Sequence, residues 1–398
     1  MSANVPEWLT TLLQGGLANL AAYLAAHVLL CLVPAFTIAG AMAALVPKES
    51  ITRFLGRSAP KFISYPAAAL AGSVLAVCSC TIVPLFAGIY KKGAGIGPAI
   101  TFLFFAPAGN ILALAYTGVA IGADLAFARL ILSLTFGIGI GLIMALIFRR
   151  SDRERADQND ATFAGRGRMS RESLLFLLLL VAVLLTGTLK LDWLSIQLAE
   201  VQLALAQAAA WQGVLDRLVP VDAARGQEGL SLQGMALIGL LGLIGLAAWR
   251  GMEPVLERPN RWTTAALALV VVTLLMAALT WRPSADGMTV GVSVRSVVVG
   301  LELLGLAWLG VKGLGEHERR AWLWESWRFV KQIFPLLIVG VFAVGVLRQL
   351  IQPAWIQAVA GENSALGNLA GVVFGVFMYF PTLVEVPIAN LFLGLGMH

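Results

Sequence analysis

The residues best suited to chemistry in this chain are two thiols and a carboxylate set in apolar surroundings. Cys78, Ser79 and Cys80 stand together as CSC, just ahead of Pro84. Thiolates are soft ligands, suited to thiophilic ions and metalloids. In an unbroken helix the two thiols would point about 200° apart; in a segment broken at Pro84 they could converge. Cys31, on the preceding apolar block, could supply a third sulfur, a set that trivalent arsenic or antimony would accept. The plainer alternative is packing, because cysteine is also a small hydrophobe. Glu385 lies between Pro381 and Pro387 inside the last apolar block, with Thr382 close by. A carboxylate at membrane depth costs on the order of 3 kcal/mol and is usually kept for a substrate, an ion or a proton. Burial would raise its pKa and let it carry a proton. Asn110, in Pro-Ala-Gly-Asn, is an amide that either lines a pathway or bonds a neighbouring helix. Pro84 and Pro387 are the candidate hinges.

These residues need a scaffold that brings apolar blocks together, and the composition says what kind. Hydrophobic residues make up 59% of the 398 positions and charged residues 13%, with a mean hydropathy of +0.84. A soluble domain of this size would need more charge to cover its surface. The apolar blocks are about 20 residues long, the length a helix needs to cross the hydrocarbon core, and they lack the alternation of a β-barrel strand. The reading is an all-α polytopic membrane protein with about ten segments. They fall near 17–46, 63–90, 96–120, 125–148, 174–189, 234–249, 263–281, 290–311, 333–351 and 366–395. The sequence divides into an N-terminal bundle with CSC (1–148), a linker (149–172), middle segments (173–328) and a C-terminal repeat segment (329–398).

The net charge of +6 does not indicate nucleic acid, because the basic residues sit in short loops between apolar blocks. That is the positive-inside pattern of membrane topology. It places the linker, with its many arginines, and the loops 250–261 and 312–331 on the cytoplasmic side. Residues 191–232 are mixed, and within them 200–219 read as an amphipathic helix on the outer face. Arg295 and Glu302, and likewise Asp124 and Arg129, read as structural or interfacial. The GIGIG run at 137–141 reads as a small-residue packing face. One loop resists simple counting: Lys48, Arg53, Arg57 and Lys61 fall outside, against the rule. They move inside if residues 66–90 form a re-entrant hairpin instead of one long kinked helix. Both alternatives stay open on sequence.

Residues 73–95 and 376–398 align without gaps, matching Pro84 to Pro387 and Gly93 to Gly396, with Gly72 matching Gly375 just upstream. Each is preceded by a block with a proline and several glycines. Paired interrupted segments of this kind point to a transporter's binding site at the junction of two repeats, inverted or parallel. The second copy ends before an equivalent of residues 97–110, so the expectation is a C-terminal repeat lacking its partner span.

Over Cys78–Asn110 the sequence resembles the predicted permeases that include the trivalent organoarsenical efflux permeases of bacteria. The residues that carry the likeness are Cys78, Ser79, Cys80, Pro84, Leu85, Gly88, Lys91, Lys92, Gly97, Pro98, Ala99, Pro107 and Asn110, with Glu385-Val386-Pro387 later. The resemblance implies efflux across a bacterial inner membrane driven by an ion gradient, with arsenicals or other thiophilic solutes among the substrates. In that reading Cys78, Ser79, Cys80, Asn110, Thr382 and Glu385 bind the solute, Glu385 couples it to a proton, and Cys78, Cys80 and Cys31 would ligate a metalloid. It calls for no cofactor and no nucleic acid, only a lipid bilayer and a small-molecule or metalloid substrate, and it leaves room for a homo-oligomer. The chain reads as a permease and not an enzyme; a membrane thiol oxidoreductase using CSC, or a passive channel, are the alternatives.

Overall fold

The computed structural model describes residues 7–25, 32–47, 52, 54–56, 59–74, 79–152, 170–188, 192–203, 207–219, 221–222, 227–284 and 287–350, with 367, 369, 372 and 373. Among the described residues six helices are long and apolar enough to cross a membrane. They are α7 (Ala123–Ile147), α8 (Arg171–Thr188), α10 (Leu232–Met252), α11 (Arg261–Ala278), α12 (Val294–Trp308, extended by a wider π turn to Gly313) and α13 (Glu316–Leu350).

The N-terminal blocks are divided more finely than hydropathy suggests. The block read as 17–46 holds two helices, α1 (Glu7–Tyr23) and α2 (Val33–Leu45). The block read as 63–90 holds α3 (Lys61–Val74) and α4 (Ser79–Lys91), and the block 96–120 holds α5 (Ile96–Ala108) and α6 (Ile111–Ala120). Averaging hydropathy over about 20 residues erases interruptions of two to four residues. The eighth segment, 290–311, likewise begins as strand and turns helical only at Val294.

The all-α expectation needs one correction. Strands β1 (Gln197–Leu203), β2 (Thr280–Ser284) and β3 (Gly287–Ser293) form an antiparallel sheet in the order β1-β3-β2. Its local cause is visible in the sequence: Asp286-Gly287 is a hairpin dipeptide, flanked by TWRPS and by MTVGVS, in which Thr and Val favour strand. Residues 200–219, read as one amphipathic helix, contain the second half of β1 and then a short helix α9 (Ala208–Leu218), whose Leu215 packs with Ala22, Val219 and Leu230. A two-residue ladder, 221–222 with 227–228, follows α9.

The loop read as 312–331 is also mostly helix, since α13 begins at Glu316 and runs on through the boundary drawn at 328. Its first turn is supported by a Glu316–Arg320 ion pair one helical turn apart. Opposite the sheet lies an end rich in charge. There Lys91 pairs with Glu325, Lys331 donates to Glu253 at 2.6 Å, and Arg320 donates to the Glu257 carbonyl at 2.8 Å. Of the linker, only residues 149–152 and 170–172 are described.

Lipid tails are as apolar as leucine, so helices here associate by close packing more than by hydrophobic expulsion. Small residues make that packing. On α7, a Cβ added at Gly141 would lie 2.2 Å from the Thr101 hydroxyl, and Gly137 is buried against Phe105, whereas Gly139 faces open space. The GIGIG run is therefore a packing face with a period of four. A Cβ at Gly40 of α2 would fall 2.0 Å from the Ser326 hydroxyl of α13, and Trp322 donates to the Thr37 carbonyl at 2.9 Å in the same crossing.

Candidate functional site

Helices α3 and α4 double back. Gly56 forms an antiparallel bridge with Ala94, and Gly95 N–H donates to the Leu55 carbonyl at 2.7 Å. One continuous helix over 61–91 would be about 46 Å long at ~1.5 Å per residue. The connections 57–60 and 92–93 could not close that gap, because extended chain covers at most about 3.5 Å per residue. The start of α3 and the end of α4 therefore share the charged end of the molecule, together with Lys61 and Lys91. The tight turn at Lys92-Gly93 uses a positive φ of 97° at Gly93, a conformation glycine adopts without a Cβ clash.

Such a hairpin is tolerable at membrane depth only if protein surrounds it. Here Ala68 of α3 and Ile82, Leu85 and Ile89 of α4 belong to one buried cluster with Ile38 and Ala41 of α2, Phe102 and Ala106 of α5, and Phe176, Leu180 and Leu184 of α8. Pro84 lies inside α4, which is helical over the described residues from Ser79, so the chain does not break at the proline. Pro84 has no N–H to donate, and the carbonyl one turn before it, that of Cys80, lacks its helical donor. Ser79 and Cys80 belong to the end of α4 away from Lys91. Cys78 and Cys31 lie outside the described residues.

An interruption among the described residues lies between α5 and α6. Gly72, near the end of α3, abuts α5 so closely that a Cβ there would be 3.1 Å from Ala106. Four residues further along, α5 gives way to α6 at Gly109-Asn110, and both halves pack along α7. Every carbonyl that the end of α5 exposes is satisfied. Gly109 N–H donates to Phe105 at 2.7 Å, the Asn110 amide donates to Ala106 at 3.0 Å and Pro107 at 3.2 Å, and Arg129 Nε donates to Ala108 at 2.8 Å. The other side of the same amide caps α6, accepting from Ala113 N–H at 2.8 Å. Asn110 is buried, 2% exposed, and works as a double cap between two half-helices.

Arg129, read from the sequence as interfacial, supplies one of the bonds that hold the break. It sits two turns into α7 and holds the break from the side, also donating to the Thr117 hydroxyl at 3.3 Å. A cation at the negative end of α5 is electrostatically favourable. The available signal was an arginine inside an apolar block directly after Pro-x-x-Asn.

The structure therefore brings the α5–α6 break, Arg129 and, through Gly72 on Ala106, helix α3 into one neighbourhood. Thr382, Glu385 and Pro387 lie outside the described residues, as does the C-terminal repeat beyond residue 373. Glu302, read as structural, does bond a neighbouring helix: its Oε1 accepts from the Thr186 hydroxyl of α8 at 2.8 Å. Among the described residues no group of three or more His, Cys, Asp or Glu side chains is placed to hold a metal ion.

Comparison with known proteins places this arrangement in context. A family model described as predicted permease, ArsP_1, matches residues 14–398. The UPF0718 protein MJ0584 of Methanocaldococcus jannaschii is 30% identical over 397 residues, covering 100% of this chain and 85% of the relative. The UPF0718 protein YcgR of Bacillus subtilis is 27% identical over 123 residues, 30% of this chain and 41% of the relative. No solved structure matches the chain.

Proposed function

Because the chain belongs to this predicted-permease family, and carries several helices fit to span a membrane, we propose that it is a secondary permease exporting a thiophilic metalloid or small organoarsenical-like solute. One observation supports the reading: the hairpin of α3 and α4, in whose sequence CSC falls, returns to its own end of the molecule, and Gly72 of α3 packs on Ala106, one turn before the α5–α6 break. Interrupted helices at one level, with irregular backbone walled in by protein, are how transporters build a solute site. Cys78 and Cys80 supply soft sulfur ligands there, with Ser79 between them and Cys31 available as a third thiolate. Asn110 contributes to the site by holding open the break that forms its wall. Thr382 and Glu385, from the second half, complete it, Glu385 couples a proton, and Pro84 and Pro387 let the two half-sites flex. The hairpin also supports the topology, since Lys48, Arg53, Arg57 and Lys61 then join the other basic loops on the cytoplasmic side of a bacterial inner membrane.

The test is protection of an arsenic-hypersensitive bacterial strain expressing the wild type or the Cys78→Ser/Cys80→Ser variant. The challenges are arsenite, antimonite and a trivalent methylarsenical. The reading expects protection by the wild type that the double variant loses at equal expression. Equal protection by both would remove the thiols from the mechanism, and none from a well-expressed wild type would remove the metalloid substrate.

A further inference from the structure

The permease reading leaves Glu302 without a task. It stands near the middle of the 294–313 stretch, one of the six segments fit to cross a membrane. Helices α8 and α11 pack on either side of it. The α8–α12 seam is tight: a Cβ at Gly305 would lie 2.8 Å from Leu179 Cδ2, and Val299 and Leu303 are buried against Leu274 and Ala278 of α11. Within that seam Thr186 donates to Glu302 Oε1 at 2.8 Å. The second oxygen, Oε2, is closed off from solvent and accepts no hydrogen bond among the described residues.

Charged neighbours are few. Helix α8 carries none between Glu172 and Thr188, α11 none after Arg261, and β3 none. The short turn 192–195 brings Asp192, another carboxylate, and β2 carries Arg282. Arg295 lies on α12 itself, about 10 Å along the axis at ~1.5 Å per residue. An ionised carboxylate with one oxygen sealed from water and without a donor is strongly disfavoured at this depth. Uptake of one proton removes the charge and leaves the Thr186 bond in place.

We infer that Glu302 is a proton-carrying carboxyl, neutral in this conformation, which releases its proton to water when the α8–α12 seam opens. The geometry also links it to the solute site. Helix α8 also packs on α2, which in turn packs on α4 of the hairpin, and Phe176, Leu180 and Leu184 of α8 lie in one buried cluster with Ile38 and Ala41 of α2 and Ile82, Leu85 and Ile89 of α4. Helix α8 thus lines the proton site directly and reaches the hairpin through α2, so a shift of α8 is passed on to it. The coupling role rests on the permease reading; the protonated carboxyl does not.

The experiment uses the full chain in lipid and two readouts. Infrared difference spectra across a pH titration should show a carboxylic-acid carbonyl band that vanishes in Glu302→Gln and moves in Thr186→Val. In everted vesicles, Glu302→Gln should cut pH-gradient-driven accumulation of a trivalent methylarsenical by about tenfold or more, while exchange at equal concentrations persists. Glu302→Asp, which keeps a carboxyl, should keep a shifted band and serves if the amide variant folds poorly. A band that survives in Glu302→Gln, or none in the wild type at neutral pH, would overturn the assignment. Loss of the band in a protein whose wild type moves no arsenical would uphold the proton site and refute the arsenical substrate. Undiminished gradient-driven uptake by Glu302→Gln would overturn the coupling role.

Discussion

Replacing Asn110 by alanine tests whether the break in the third apolar stretch is held by one side chain. The substitution deletes three hydrogen bonds: Ala113 N–H to Oδ1 at 2.8 Å, and Nδ2 to the Ala106 and Pro107 carbonyls at 3.0 and 3.2 Å. At roughly 1 kcal/mol net for each bond the loss is about 3 kcal/mol. Interhelical bonds within membranes average nearer 0.6 kcal/mol, because the unfolded chain in lipid also finds partners, which lowers the expectation to about 2 kcal/mol. Water cannot repair the loss, since the side chain is 2% exposed. Asn110→Ser keeps an acceptor for the α6 cap but loses both amide donors, and should recover about 1 kcal/mol of it. Asn110→Asp also keeps the acceptor, but turns a charge toward two carbonyls and should be no better than alanine. Equilibrium unfolding of the purified protein in mixed detergent micelles gives these differences directly. An alanine variant within about 0.5 kcal/mol of wild type, or an aspartate variant as stable as wild type, would refute the double-cap account.

Three further outcomes follow from the same geometry. Arg129→Met leaves the Ala108 carbonyl without its side-chain donor. It should destabilise by about 1–3 kcal/mol, with partial recovery in Arg129→Lys, read by the same unfolding assay. The Lys91–Glu325 pair ties the hairpin's foot to α13. Lys91→Glu and Glu325→Lys should each destabilise, and the double exchange should restore roughly 0.5–1 kcal/mol in a mutant cycle. Lys331 donates to Glu253 and holds its carboxyl below the usual carboxylate range. A lowered folded pKa means stability present above the ordinary value of 4.5 and lost as pH falls through the lower one. The melting temperature of wild type should therefore exceed that of Glu253→Gln at neutral pH, by a small margin for so exposed a pair, and the difference should vanish in acid.

The long helices were legible where they are single apolar runs, which hydropathy reads directly; the charged first half of α13, from Glu316 to Lys331, was read as loop. The hairpin was half legible. The basic residues 48–61 pointed to it, and the deciding contact, Gly56 with Ala94, joins positions that no local pattern relates. Pro84 was a poor guide to a break, because it is accommodated inside α4. Asp286-Gly287 was a readable hairpin signal, obscured because Val290 and Val292 continue the apolar run of α12. Arg129 could not be assigned from composition. Its partner is a main-chain carbonyl, a group every residue has, so only the fold says which one it meets.

The two interruptions differ in what they leave over, and that difference argues for a division of labour. At the α5–α6 break Gly109, Asn110 and Arg129 account for the last four carbonyls of α5, and the amide also caps α6. A saturated break of this kind has little left to offer a solute, and moving it would cost several bonds at once. It suits a fixed wall. At the start of α4 the balance is reversed, because Pro84 leaves the Cys80 carbonyl without its helical donor beside a thiol. A backbone group in that position gains most from an ion, a water or a solute that reaches it. On the proposed reading, then, the solute engages the thiol-bearing hairpin while the Asn110 break stays still. Asn110→Ser should accordingly slow transport less than Cys80→Ser does when both are matched for folded protein.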